Sequence, residues 1–177
     1  MKNTLKVGDY CVYKTHGVCK VQEIKTVNIA GKEEKCIVLY IEKDKATIIV
    51  PYKFKENGDI RNLITVDEME KALKSLKSGV RKLKGMWSRR AKEYRDKINT
   101  GSVTETVDVL RSLIRNVAEE KRSFSERMIS DLAVYRLASE YSVIKHIPYQ
   151  EAEQYVLNIA KISSDNVNDE NMEEKIS

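Results

Sequence analysis

The chain reads as an α+β protein, with a small N-terminal β-barrel followed by a C-terminal five-helix domain. Up to about Arg61 the apolar residues fall in short runs rich in Val, Ile and Tyr, cut by turn-prone groups. From Thr65 onward they recur at helical spacing. A third observation points to function: the only tryptophan, Trp87, stands among six lysines and arginines in KLKGMWSRRAKEYR, residues 82–95.

In the first part, DYCVY (9–13), VCKVQEI (18–24), KCIVLYIE (35–42) and ATIIVP (46–51) predict strands. His16-Gly17, Ala30-Gly31, Lys43-Asp44-Lys45 and Asn57-Gly58-Asp59 separate or follow them as turns. Four or five strands in some sixty residues are too few for an ordinary sandwich, but they can curl into a strongly bent barrel of SH3 or Tudor type. Barrels this small bind partners through an edge strand or loops and rarely carry catalysis.

In the second part, Thr65-x-x-Glu68, Ser102-x-x-Glu105 and Ser123-x-x-Glu126 each match a capping box, which starts a helix by satisfying free N–H groups reciprocally. Apolar faces follow: Met69, Ala72, Leu73 and Leu76; Val103, Val107, Leu110, Ile114 and Val117; Met128, Ile129, Leu132, Tyr135, Ala138 and Tyr141. Pro148, at a first helical position, opens a last helix with Ala152, Tyr155, Val156 and Ile159. With the basic stretch included, five helices result. The expected domains are 1–64 and 65–163, joined near Asn62–Thr65 without a Gly/Ser linker, and 164–177 reads as a disordered acidic tail.

The totals exclude several classes. No apolar run reaches the ~20 residues that cross a bilayer, and MKNTLKVGDY lacks the apolar region of a secretory signal. Three cysteines, Cys11, Cys19 and Cys36, lack the short paired spacing of a metal site, so they read as free thiols in a cytoplasmic protein with no metal and no cofactor. No P-loop, Gly-rich dinucleotide turn or helical His pair is present, and His16 and His146 read as a turn residue and a helix C-terminal cation. We expect no enzyme.

The net charge of +5 is unevenly spread: Lys74–Lys97 holds ten basic residues against Glu93 and Asp96. A solvated helix face normally interleaves both signs, so this stripe points to a polyanion. Trp87 has two readings there. It shares a helical stripe with Val80, Leu83, Tyr94 and Ile98, which suits a core residue. Gly79 and Gly85 each cost about 1 kcal/mol inside a helix, however. A break near Gly85 would put Trp87 at the start of the next helix, projecting as a wedge. Arg89, Arg90 and Lys92 would then oppose the helix dipole, an arrangement a phosphate would relieve. Both readings stand at this point.

KVGDYCVYKTHGVCKVQEI (6–24), WSRRAKEY (87–94) and SFSERMISDLAVYRLASE (123–140) together resemble the CarD/CdnL family of bacterial transcription regulators. Its members share a lysine-x-glycine-aspartate start, V-V-Y, a histidine-glycine turn, W-S-R-R-Y-K and L-S-x-x-E-x-x-M. The resemblance runs from about Leu5 to Tyr141. It implies a Tudor-like barrel, similar to a module of the transcription-repair coupling factor, docked on the RNA polymerase β subunit. It also implies a helical domain facing promoter DNA at the upstream edge of the melted bubble. There Trp87 would wedge into the minor groove, with Arg89, Arg90 and Lys92, aided by Lys82 and Lys84, on the phosphate backbone. The open complex would be stabilised, and no membrane is involved. Some relatives carry arginines where this chain has Val27 and Ile49, so docking on polymerase would rest on apolar and edge-strand contact through Val27, Ile49 and Ile29. Such a protein is expected on the nucleoid. The alternative is a free-standing architectural DNA binder whose barrel is only a scaffold.

Overall fold

The computed structural model describes residues 4–78, 85–116 and 122–173. The chain divides into two compact units, 1–63 and 64–177.

The first unit is an antiparallel sheet of β1 (Tyr10–Tyr13), β2 (Gly17–Ile29), β3 (Lys32–Ile41), β4 (Ala46–Pro51) and β5 (Ile60–Asn62), in the order β4-β3-β2-β1-β5. A short helix, α1 (Lys53–Glu56), precedes β5. Laid flat, five strands would span roughly 19 Å from edge to edge. Yet one cluster gathers Cys11, Cys19, Val21, Ile37, Leu39, Ile41, Val50 and Ile60, from every strand, with Leu5. The sheet therefore curls around its core, the Tudor-like fold the sequence predicts.

β2 and β3 run further than expected, pairing out to Ile29 and Lys32 across Ala30 and Gly31, both at positive φ. That geometry suits a two-residue hairpin turn. A bulge at Gln22 interrupts the ladder between Val21 and Glu23. Lys6-Val7-Gly8-Asp9 forms a turn: the Lys6 N–H donates to Asp9 Oδ2 at 2.8 Å and Gly8 adopts φ 92°. The three cysteines are buried free thiols, and burial, then the neighbouring Cys19, pushes the Cys11 thiol up to about 12. His16 stacks on Tyr13 within the turn that precedes β2.

The second unit holds α2 (Val66–Lys74), a 3-10 turn (Ser75–Lys77), α3 (Trp87–Ile98), α4 (Val103–Asn116), α5 (Phe124–Lys145) and α6 (Tyr149–Glu173). Among the described residues its α-helices number the five expected. Capping boxes at Thr65–Glu68 and Ser123–Glu126 are complete. At α4 the box is half formed. Ser102 accepts from the Glu105 N–H at 3.4 Å, while the Glu105 carboxylate takes the Thr100 hydroxyl. Pro148 precedes the last helix as its cap rather than as its first residue, accepting from the Ala152 N–H at 3.1 Å. The helical backbone of α6 continues past residue 163, where the sequence reading ended the domain, to Glu173.

One core joins α2, α3, α4, α5 and α6 through Met69, Leu73, Tyr94, Ile98, Leu110, Leu113, Leu137 and Val156. Most of the apolar faces read from the sequence point into it. Met128 and Tyr155 do not, and stand exposed, the Tyr155 hydroxyl donating to Glu70; Val117 lies outside the described residues. His146 caps α5 in the left-handed region, at φ 57°.

Candidate nucleic-acid interface

Gly85, at φ 120°, breaks the basic stretch, and α3 begins two residues later at Trp87. Its cap position is Met86, which offers no side-chain acceptor, and its first turn holds no acid. The first N–H groups of a helix have no intrahelical partner and carry the positive end of its dipole. At α2 and α5 a hydroxyl and a carboxylate meet that need. At α3 neither the cap residue nor an acid of the first turn does.

Trp87 itself is neither sealed nor free. It is half-buried and packs against the helical core, at the outer end of a stripe with buried Ala91, Tyr94 and Ile98. Its ring tilts against Tyr94 with centroids 6.3 Å apart. Its Nε1–H donates to Ser125 Oγ at 2.7 Å, reaching across to the second residue of α5. Nε1 is the only polar atom of an indole. The part of the ring that meets solvent is therefore carbon.

That hydrogen bond also brings two exposed neighbours to the same end of the unit. Met86 precedes Trp87 and is 78% exposed; Phe124 precedes Ser125 and is 79% exposed. Met128, one turn on from Phe124, is exposed as well. Single apolar residues on a surface are ordinary, whereas several around one point mark a contact surface. The sequence reading missed Met86 and Phe124 and placed Met128 in the core. The available signal was phase, because Phe124 and Met128 fall on the helix face opposite the buried positions Glu126, Ile129, Ser130 and Ala133.

The basic residues divide. Arg90 is half-buried, with its Cζ 5.3 Å from the Trp87 ring centroid, and it hydrogen-bonds Tyr94, whose hydroxyl burial pushes up despite the nearby guanidinium. Its place is beside the ring. Arg89 and Lys92 are exposed. Lys92 pairs with Asp96 at 2.8 Å, and that hydrogen bond pushes its pKa up. An exposed pair of this kind is worth little and yields readily to a stronger anion. Arg89 follows Trp87 by two residues, about 200° around the axis, so the two diverge sideways and can meet one partner only at the helix end. Lys82 and Lys84 lie outside the described residues.

In the first unit, Val27 pairs with Glu34, Ile29 with Lys32 and Ile49 with Val38. These partners alternate with the core residues Ile37 and Leu39 on β3, so Val27, Ile29 and Ile49 share the sheet face turned away from the core. Ile29 and Ile49 are exposed and Val27 is half-buried. Val27 and Ile49 sit four β3 residues apart in register, roughly 13 Å along the strand. β4 is an edge strand.

Among the described residues no group of His, Cys, Asp and Glu is placed to hold a metal, and no helix is long and apolar enough to cross a membrane.

Comparison with known proteins agrees with this architecture. The family model described as "CarD-like/TRCF RID domain" matches residues 5–64, and "CarD, C-terminal domain" matches residues 71–157. Over 150 residues the chain is 25% identical to "Putative transcription factor YdeB" of Bacillus subtilis (strain 168), covering 85% of this chain and 98% of that one. A curled RID-type sheet followed by a CarD-type helical unit defines a transcription regulator. The chain belongs to the CarD/CdnL family.

Proposed function

We infer that the protein binds RNA polymerase through its first unit and stabilises the promoter open complex with its second, without catalysing a reaction. On this reading the polymerase β subunit meets the outer sheet face and edge around Val27, Ile29 and Ile49. Trp87 wedges into the minor groove at the upstream edge of the bubble. Arg89 and Lys92, with Lys82 and Lys84 nearby in sequence, meet the phosphate backbone, while Arg90 steadies the ring from the side. The protein acts in the bacterial cytoplasm, on the nucleoid.

One observation carries this reading: a part-exposed indole, its polar atom already bonded, at the start of a helix that lacks both cap and acid. Carbon surface of that shape can replace stacking lost at a partly opened base step, where the penalty for insertion is already reduced. Stacking of a base on an aromatic ring contributes about 1–3 kcal/mol. Every 1.4 kcal/mol of preference for the open state is about tenfold in its equilibrium. Only contacts made in the open state and absent from the closed one shift that balance. Because Trp87 and Arg89 diverge sideways, the duplex would approach the N-terminal end of α3 rather than its flank, with Met86 and Phe124 at the same end.

Initiation kinetics on one promoter, with wild type and Trp87→Ala, tests it. The lifetime of the open complex should fall about tenfold, the size of one stacking contact, while binding to a β-subunit fragment stays unchanged. Truncating this half-buried ring should also cost roughly 1–3 kcal/mol of stability, so both proteins are compared well below their melting temperatures. An unchanged lifetime would reject the wedge. Failure to bind the β-subunit fragment would favour the free-standing architectural DNA binder.

A further inference from the structure

The wedge reading names a ring but leaves open what sets its pose. A tryptophan at the first position of an uncapped helix, after a glycine at φ 120°, has little backbone around it to fix its side chain. Beyond its packing on Tyr94 and the core, two polar contacts do so. Arg90 lies beside the ring, and Ser125 Oγ accepts the Nε1–H at 2.7 Å.

Ser125 is itself held. Its oxygen is 3.3 Å from Ser123 Oγ. Ser123 Oγ already accepts from the Glu126 N–H and donates to Glu126 Oε2 at 2.9 Å. With the Ser123 proton committed to a carboxylate, the Ser125 hydroxyl is the donor of the serine pair. A single chain results: the indole N–H to Ser125, Ser125 to Ser123, and Ser123 to Glu126. Each link polarises the next, and the carboxylate at its end fixes the direction of all of them. The capping box that starts α5 thus does a second task that helix initiation does not require. It aims an acceptor at a ring 38 residues away in sequence.

We propose that Ser125 is the positioning residue for Trp87, holding the indole in one pose before nucleic acid arrives. The proposal rests on the wedge reading for its functional consequence, though not for the pose itself. A ring already held loses less side-chain freedom on contact than one that must be ordered at that moment. The same bond keeps the one polar edge of the ring turned to protein, so the exposed edge meets bases as hydrocarbon.

Trp87 is the only tryptophan, so its fluorescence reports the site directly in the full chain. Ser125→Ala removes the acceptor and leaves the capping residue Ser123 in place; Ser125→Thr keeps a hydroxyl. Without nucleic acid, Ser125→Ala should show faster local depolarisation of the indole and a shifted emission maximum, and Ser125→Thr should restore both. Unchanged depolarisation in Ser125→Ala, with thermal unfolding confirming a folded chain, overturns the proposal. Open-complex lifetime with polymerase should then fall roughly fivefold for Ser125→Ala, the factor that one net hydrogen bond represents, and recover for Ser125→Thr. A loosened ring with undiminished lifetime, where Trp87→Ala does shorten it, overturns the functional half. If Trp87→Ala itself leaves the lifetime unchanged, the wedge reading fails instead, and the fluorescence still decides the pose.

Discussion

Two helix starts meet at the Trp87–Ser125 hydrogen bond, and they are built to opposite rules. At α5 a serine and a glutamate close a full capping box, and the glutamate is buried. At α3 the cap position is a methionine, the first turn holds no acid, and Arg89 and Arg90 sit where the dipole disfavours them. The first start has its electrostatic needs met from within the chain. The second leaves them open, beside exposed apolar side chains. On the proposed reading, the unmet need at α3, beside a fully capped neighbour, leaves that surface for a polyanion. The conservative arrangement is affordable at α3 in sequence terms, since α2 and α5 both use it.

Four variants would break or sharpen that contrast. The largest effect is expected for Arg89→Ala combined with Lys92→Ala. The log–log dependence of DNA association on salt should flatten by about two units, roughly one per phosphate contact, in a titration of a labelled bubble duplex. If the slope holds, these side chains face something other than phosphate. Next comes Glu126→Ala, which opens the box at α5 and should cost about 1–2 kcal/mol in denaturant unfolding. It should also loosen the indole through the serine chain. Thr65→Ala, at the matching box of α2, should destabilise by a similar amount with no change in tryptophan depolarisation. Equal fluorescence responses in the two variants would show that the α5 box acts on the ring only through general stability. The smallest effect, and the opposite sign, belongs to Met86→Asp. A capping carboxylate at α3 should raise stability by about 0.5–1 kcal/mol while weakening DNA association. Destabilisation would mean that this helix start is not short of a cap.

Much of this was legible in the sequence because it is local. Gly85 as a break, the boxes at Thr65 and Ser123, and the change of period near residue 64 are each encoded within a few residues. What the sequence hid is nonlocal or depends on phase. The two readings of Trp87 could not be separated, because its half-buried state depends on contacts between helices, with the core and with Ser125 of α5. Arg90 reads as one more cation in a basic run until its guanidinium is seen beside the ring. In β2 a strict alternation carried on from Cys19 and Val21 would turn Val27 and Ile29 inward. The bulge at Gln22 shifts the phase, so they face outward with Ile49. The polar end of the β2–β3 hairpin escaped because KTVNIAGKEEK lacks the dense apolar run by which strands are recognised.

The bonded indole nitrogen has a consequence beyond its own pocket. On the proposed reading, the surface offered to a promoter is a hydrocarbon blade with no donor left to discriminate A·T from G·C. Choice among promoters would then come from how long each stays melted by itself. The same blade would hasten initiation where strand separation is fleeting and delay departure where it is already persistent, so one unspecialised contact could raise output from some genes and lower it from others.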